Sequence, residues 1–325
     1  MRLPDASVPL SADGARVAFD AMLDGTVDDA DTRDFLFAMS LRDETAIEIA
    51  AAIGAIRARM IPITAPAGAI DVCGTGGDMS NSLNISTAVA LVVAACGVPV
   101  AKHGNRAASS QAGGADTLEA LGLDLDRASA AAEATLADLG IAFLFAQKHH
   151  PALGRLAPIR KSIARRTIFN LTGPACNPAG VTRQLIGVAR PDFLPVYAEA
   201  LMMLGMADAM LVAGHEPLDE LSIAGESSML RLGARPVAMT PEDAGLSRHP
   251  LVALRGGDAA FNAAALRRLL MGEAGAYRDA VLFNAAAALI VAGEVTDWKA
   301  GVEEAAEAID KGLAKALLDC WIAYN

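Results

Sequence analysis

The chain has 325 residues, of which 53% are hydrophobic and 20% charged, enough apolar material for two domains or one large α/β domain and too much for a disordered chain. Aromatic residues make up only 4%, and the formal net charge of −11 argues against a general nucleic-acid binder. Residues 1–19 lack a basic start followed by an apolar run, so no signal peptide is expected. Cys73, Cys96, Cys176 and Cys320 contain no C-x-x-C pair, which speaks against a zinc site or disulfide framework and for reduced thiols in the cytoplasm.

Residues 11–60 read as three helices. Ser11 is placed to cap the first, carrying Val17, Phe19, Met22 and Leu23, and Gly25 to end it. Asp28 or Asp31 caps the second, and Ala46, Ile47, Ile49, Ala50, Ile53 and Ile56 repeat at helical spacing in the third. The acidic run Val27–Thr32 sits among these helices with no strand before it, so it reads as a capping cluster and not as a ribose-binding loop. Pro62 and Pro66 mark a linker. The pattern then alternates, with strands expected over 70–73, 98–101, 141–145, 185–189 and 209–213. Helices are expected from 87, over 115–122, 126–139 and 193–204, and from 259 to the end as long Ala-rich segments. This alternation predicts an α/β fold with a mostly parallel sheet. Residues 152–170 read as a basic helix that returns to the N-terminal helices. The uncharged stretch 79–101 is too broken by polar residues, Gly97 and Pro99 to span a bilayer, so no membrane partner is expected.

Gly74-Thr75-Gly76-Gly77-Asp78 follows the first strand. Closely spaced glycines let backbone N–H groups converge on an anion with no Cβ in the way. Asn84-Ile85-Ser86-Thr87 opens the next helix, whose free N–H groups and hydroxyls suit a diphosphate. The loop lacks the Gly-Lys-Ser/Thr ending of a P-loop and does not fit G-x-G-x-x-G. Lys102-His103-Gly104-Asn105-Arg106 follows the second strand, at the carboxyl edge where α/β sheets bind ligands, with Ser109 and Ser110 behind it.

Together, GTGGD, NIST, AKHGNR and AD-x-LE-x-LG (71–122), FLFA (143–146), HHPAL (149–153), APIR (157–160), RTIFNLTGPACNPA (166–179), HEPLDELS (215–222) and PEDAGL (241–246) resemble the anthranilate phosphoribosyltransferase family in order and over most of the chain. The resemblance implies a small all-helical domain, residues 1–65 with about 152–175, and a larger α/β domain, residues 68–151 with about 176–325. It implies phosphoribosyl pyrophosphate and anthranilate as substrates, two Mg²⁺ ions per site, and a homodimer formed through the helical domain. It places Gly74, Thr75, Gly77, Asp78, Asn84, Ser86, Thr87, Lys102 and Ser110 on phosphoribosyl pyrophosphate. Gly74, His103, Asn105, His150 and Arg160 fall on anthranilate, and Ser86, Asp219 and Glu220 on the metal. His103 is the single candidate for a catalytic base. The chain departs from the family pattern at Met79, Gln147, Thr172, Cys176 and Ala112–Ala115, and Gln147 and Thr172 bear on the acceptor side.

Two other readings share these residues. A nucleoside phosphorylase of the same superfamily has no need of the acidic pair, and a non-catalytic sensor keeps the pocket without turnover. The charge is uneven: residues 79–115 and 139–191 contain no acid, and the second stretch carries eight cations, Lys148, Arg155, Arg160, Lys161, Arg165, Arg166, Arg183 and Arg190. Two basic bands in an acidic body are expected to receive a polyanion.

Overall fold

The computed structural model describes residues 2–107, 110–216 and 218–324. Local capping chemistry starts the N-terminal helices. Ser11 accepts the Gly14 N–H at 3.1 Å and opens α1 (Ala12–Asp24), which stops at Gly25 in the left-handed conformation. Asp28 caps α2 (Asp29–Met39) through the Asp31 N–H. A capping box between Thr45 and Glu48 opens α3 (Ala46–Arg57). Glu48 is fully buried and also accepts the Leu10 N–H at 2.8 Å and both terminal nitrogens of Arg42. One carboxylate thus ties the N-terminal segment to the start of α3.

The α/β part begins with β1 (Asp71–Gly74), α4 (Ile85–Ala95) and β2 (Val100–Gly104). Then α5 (Gly114–Leu121), α6 (Leu125–Ala130) and α7 (Ala132–Leu139) lead to β3 (Ile141–Phe145), parallel to β2. The single helix expected over 126–139 is two, broken at Ala131, which leaves the helical region at ψ 7°. The chain continues through α8 (Ala146–His149), α9 (Pro151–Ile163) and α10 (Phe169–Thr172), so the expected basic helix stops short, at Ala164 in the left-handed region. β4 (Arg183–Gly187), α11 (Leu194–Met203) and β5 (Asp208–Gly214) complete the parallel set β1–β4–β5. β6 (Ser227–Arg231) and β7 (Val237–Met239) add antiparallel strands that the sequence reading lacked, being short and only partly buried. The helices α12 (Ala259–Leu270), α13 (Ala276–Ala292), α14 (Trp298–Asp310) and α15 (Leu313–Tyr324) close the chain. None of the described helices is long and apolar enough to cross a membrane.

Both sheet faces are buried, and the two-residue period of the strands divides them. Val72, Leu185, Met210 and Val212 face the core built on α4 and α13. Ile186, Ala209, Leu211 and Ala213 face Phe19, Ile49 and Ile53 of the N-terminal helices, Leu156 and Ile159 of α9, and Tyr197 of α11. The N-terminal bundle and α9 therefore share one core with the back of the sheet. That positions α9, which carries Arg160, relative to the strand ends.

Removing Arg42 leaves the Glu48 carboxylate buried without its charge partner. Arg42→Ala is expected to lower unfolding stability by about 3 kcal/mol, read as a shift of the urea midpoint; an unchanged midpoint would remove this pair as the bundle's anchor.

Candidate active site

β1 has β4 on one side and β2 on the other, and the pairing with β2 ends almost as it begins. One parallel bridge, Ile70 to Val100, joins them; beyond it the strands part. The gap is filled by side chains. Asp71, fully buried, accepts the His103 N–H at 3.1 Å and the Asn177 amide at 2.8 Å, with Gln184 and the Cys73 thiol also donating to it. Lys102 Nζ donates to the Val72 carbonyl at 2.7 Å. A cavity of about 300 Å³ opens where the strands diverge, at their carboxyl ends, the position at which open α/β sheets bind ligands.

That cavity brings together Gly74, Thr75, Gly77, Asp78, Asn84, Ser86, Thr87, Lys102, His103, Asn105, Ser110, Asp219 and Glu220. Arg160 and His150 are not among its walls, and Ser109 lies outside the described residues. Asp219 reaches the glycine loop directly, accepting the Gly76 N–H at 2.7 Å. A Cβ on Gly74 would lie 2.1 Å from Asp219 Oδ2, and one on Gly187 would lie 1.6 Å from the Asp219 carbonyl oxygen. Glycine is required at both places for the acidic turn to sit against β1 and β4. Burial raises the Asp219 carboxyl above its usual range and the charge of Asp78 raises it further. Glu220 is raised by burial and by Asp219. Three carboxylates thus crowd one turn, and none forms an ion pair among the described residues. No group of three or more His, Cys, Asp or Glu arranged to hold a metal by protein ligands alone occurs among the described residues. A pair of carboxylates and a hydroxyl fit a hard cation that keeps its waters.

α4 begins at Asn84 with no side-chain cap, and Ile85, Ser86 and Thr87 of its first turn face the cavity. Asn84 is more committed than its sequence position implied. Its Oδ1 accepts from Thr117 and Asn262, and its amide donates to the Ala112 carbonyl, leaving one N–H free. Lys102 is buried, with Nζ also donating to Ser86 Oγ at 3.2 Å, so one of its three N–H bonds remains. Ser110 donates to the Ala112 carbonyl and Asn105 is exposed.

His103 has no free nitrogen. Its Nδ1 lies 3.1 Å from the Gly173 carbonyl, which only accepts, so Nδ1 carries the proton. Its Nε2 lies 3.1 Å from His150 Nε2, which must then donate. Burial, followed by the neighbouring His150 charge, lowers His103 to about 3; burial, followed by His149, lowers His150 to about 4. Both rings are neutral at physiological pH, and His103 is already occupied as an acceptor. It is therefore not poised as a base toward a ligand in the cavity, whereas the sequence had made it the candidate. Arg160, half-buried on α9, has its guanidinium 5.9 Å from the centre of the Phe169 ring and no hydrogen-bonded or ionic partner among the described residues. Burial alone lowers its pKa.

Most of the rest of the basic band is engaged elsewhere. Lys148 pairs with Asp126, Arg155 with Asp29, Arg166 with Glu44, and Arg190 with Asp43 and Asp192. Arg165 and Arg183 bond backbone carbonyls. Of the eight cations, Arg160 and the exposed Lys161 have no hydrogen-bonded or ionic partner among the described residues. Residues that sequence reasoning gave no role are Asp71, Asn177, Gln184, Gly187, Asn262 and Asn284. The available signal was a lone polar residue in an apolar run, as with Asn284 in AVLFNAAAALIVA.

Residues 67–315 match the family model for the α/β domain of a glycosyl transferase family, and residues 6–60 match that for its helical bundle domain. The chain is 64% identical over 324 residues to the anthranilate phosphoribosyltransferase of Novosphingobium aromaticivorans, covering 99% of this chain and 98% of that one. Among solved structures it is similar to the anthranilate phosphoribosyltransferase of Thermus thermophilus, with a TM-score of 0.92, 43% identity and 99% of both chains covered. It is also similar to that of Saccharomyces cerevisiae in complex with phosphoribosyl pyrophosphate and Mg, with a TM-score of 0.89, 28% identity and 97% and 93% coverage.

The two lowered histidines set a pH dependence of stability. Above pH 6.5 both rings are neutral in folded and unfolded chains; below it only the unfolded chain takes up protons, until the pH nears 4. Unfolding stability is expected to fall with pH across that window, and His103→Asn with His150→Asn to shallow the slope by up to about two protons. Urea midpoints measured from pH 7 to 4 decide this; identical slopes would show that the pair is not held neutral.

Proposed function

The chain belongs to the anthranilate phosphoribosyltransferases of this glycosyl transferase family, and from that premise we propose how its cleft divides the work. The enzyme moves the phosphoribosyl group of phosphoribosyl pyrophosphate to anthranilate, giving N-(5-phosphoribosyl)anthranilate and pyrophosphate in tryptophan biosynthesis. The observation that carries the division is one cavity lined by a glycine loop, a helix N-terminus and three carboxylates with no ion pair among the described residues, with an arginine on α9 that likewise has no partner among them.

Gly74, Thr75, Gly77 and Asp78 line the ribosyl diphosphate, and Ser86, Thr87, Ser110 and the free amide N–H of Asn84 hold phosphate oxygens. Lys102 adds its one uncommitted N–H from behind Ser86. Asp219, Glu220 and Ser86 hold Mg²⁺, two ions per site. Bound there, magnesium neutralises charge on the leaving diphosphate. As the anomeric carbon becomes oxocarbenium-like, catalysis needs leaving-group neutralisation and a placed amine, because an aryl amine is already a neutral nucleophile. This fits a site in which His103 is occupied. Arg160 grips the anthranilate carboxylate, while Gly74, Asn105, His103 and His150 surround the ring and amine.

The remaining expectations are carried as proposals. Residues 1–65 with about 152–175 form the helical domain, and 68–151 with about 176–325 the α/β domain. The apolar groove lined by Ala12, Ile47, Ala50, Ala51, Gly54 and Met203 supports a homodimer through the helical domain. The enzyme works in the cytoplasm, with neither nucleic acid nor membrane as partner.

Purified protein is expected to consume anthranilate fluorescence only when phosphoribosyl pyrophosphate and Mg²⁺ are both present; no consumption across metals and pH would overturn the reading. Arg160→Ala is expected to raise the KM for anthranilate by about 10- to 100-fold, the loss of one charged hydrogen-bonding partner. The KM for phosphoribosyl pyrophosphate should stay unchanged. A rise confined to phosphoribosyl pyrophosphate would take Arg160 off the acceptor.

A further inference from the structure

The turn that carries Asp219 and Glu220 belongs to no helix or strand. Such a segment, loaded with like charge, relaxes by moving its carboxylates apart unless something fixes its backbone. Two backbone contacts flank the turn, Gly214 N–H donating to the Leu218 carbonyl at 2.9 Å and Ser222 N–H donating to Ser227 Oγ at 2.8 Å, and the Asp219 side chain accepts the Gly76 N–H. A further contact comes from outside the cleft wall, from α13.

Asn284 is the one amide in the buried stretch of that helix and has no exposed surface. A carboxamide there costs free energy unless every polar atom is satisfied. Its Oδ1 accepts the Leu221 N–H at 2.9 Å, and its Nδ2 donates to the Leu221 carbonyl at 3.1 Å and to the Ala280 carbonyl at 2.9 Å. Both backbone groups of Leu221, the residue immediately after Glu220, are therefore taken by one side chain, as a neighbouring strand would take them. Leu221 itself is fully buried, so neither group can turn to water instead.

We propose that Asn284 is a positioning residue for the divalent-cation site: by clamping Leu221 it holds Asp219 and Glu220 together against their own repulsion and that of Asp78, so that the carboxylates are placed before the cation arrives. This rests on the reading of the acidic turn as the magnesium site.

The test is Mn²⁺ binding to the full-length protein in the presence of phosphoribosyl pyrophosphate, followed by electron paramagnetic resonance, with anthranilate binding followed separately by fluorescence. Asn284→Leu, close in volume, removes the clamp. Its Mn²⁺ affinity is expected to fall by about 10- to 100-fold, the usual cost of losing a partner that orients metal ligands, with anthranilate affinity unchanged. Asn284→Ser, whose hydroxyl can bond back to the Ala280 carbonyl, is expected to weaken Mn²⁺ in the same way and leaves no orphaned side-chain donor. A folded variant with lowered thermal stability and wild-type Mn²⁺ affinity would overturn the proposal, making Asn284 merely structural. Hydrogen exchange in the wild-type protein reads the clamp without a variant: the Leu221 amide is expected to be protected before metal is added. Protection that appears only with Mn²⁺ would also overturn the proposal. Wild-type protein that binds no Mn²⁺ would sink the metal reading itself, while a Leu221 amide protected in that same protein would still show the clamp in place.

Discussion

The buried carboxylate of Asp71 keeps two parallel strands apart. After the single bridge between Ile70 and Val100, the regular ladder between β1 and β2 stops, and Asp71 takes the His103 N–H that a strand carbonyl would otherwise have taken. The same carboxylate gathers Gln184 of β4 and Asn177 from the segment before it, so the gap is braced on both sides. Burial raises its carboxyl above the usual range and the Lys102 charge draws it back, which makes Asp71 and Lys102 one compensated unit inside the sheet. A sheet that paired fully here would have no room for the cavity at its carboxyl edge, because backbone groups would satisfy one another across the crevice.

The electrostatics of the site follow from what is paired and what is not. Lys148, Arg155 and Arg190 are matched by acids on neighbouring elements, and surface pairs of this kind contribute little to either stability or field, while Arg166 is matched by the buried Glu44. Asp78, Asp219 and Glu220 have no such match. Glu220 is buried and Asp78 and Asp219 half-buried, and acids that repel one another there are costly in the protein alone, a cost that a bound cation relieves. Arg160 is the mirror case, a guanidinium over an aromatic ring with no anionic partner among the described residues. In the proposed reading the unpaired charges of both signs mark the two ends of the reaction, a sharper guide than net charge or the density of basic residues along the chain.

How much of this was legible depended on the range of the interaction. Ser11, Gly25 and Asp28 act within a few residues of themselves, and the caps they predict are the caps observed. Strand 141–145 is a continuous apolar run and was read to its ends. The glycine loop and the first turn of α4 were legible as walls of the cavity because glycine spacing and free helix N–H groups are local properties. Lys102 and His103 were legible as residues of the site but not in their orientation, since Val72, Gly173 and His150 reach them only through the fold. The strands 227–231 and 237–239 were missed because an edge pair half open to water carries a weak hydrophobic alternation. Asn284 and Gly187 lie far from the acidic turn in sequence, and their meaning exists only once that turn is seated on them.

The division of labour between layers constrains how the enzyme can work. The proposed diphosphate-binding groups sit on strand ends and on the first turn of α4, whereas Arg160 rides on α9, whose inner face is built into the core behind the sheet with Ile186 and Leu211. In the proposed reading the two substrates are held by elements whose relative position is set by apolar packing on the second face of the sheet. Close-packed interiors transmit small displacements, so a volume change at Phe19, Phe169 or Tyr197 is expected to alter the distance between Arg160 and the strand ends. For a reaction whose rate depends on placing a neutral amine against a forming cation, that distance matters more than proton-transfer chemistry, and a buried methyl group far from either substrate belongs to the catalytic design as much as the residues that touch them.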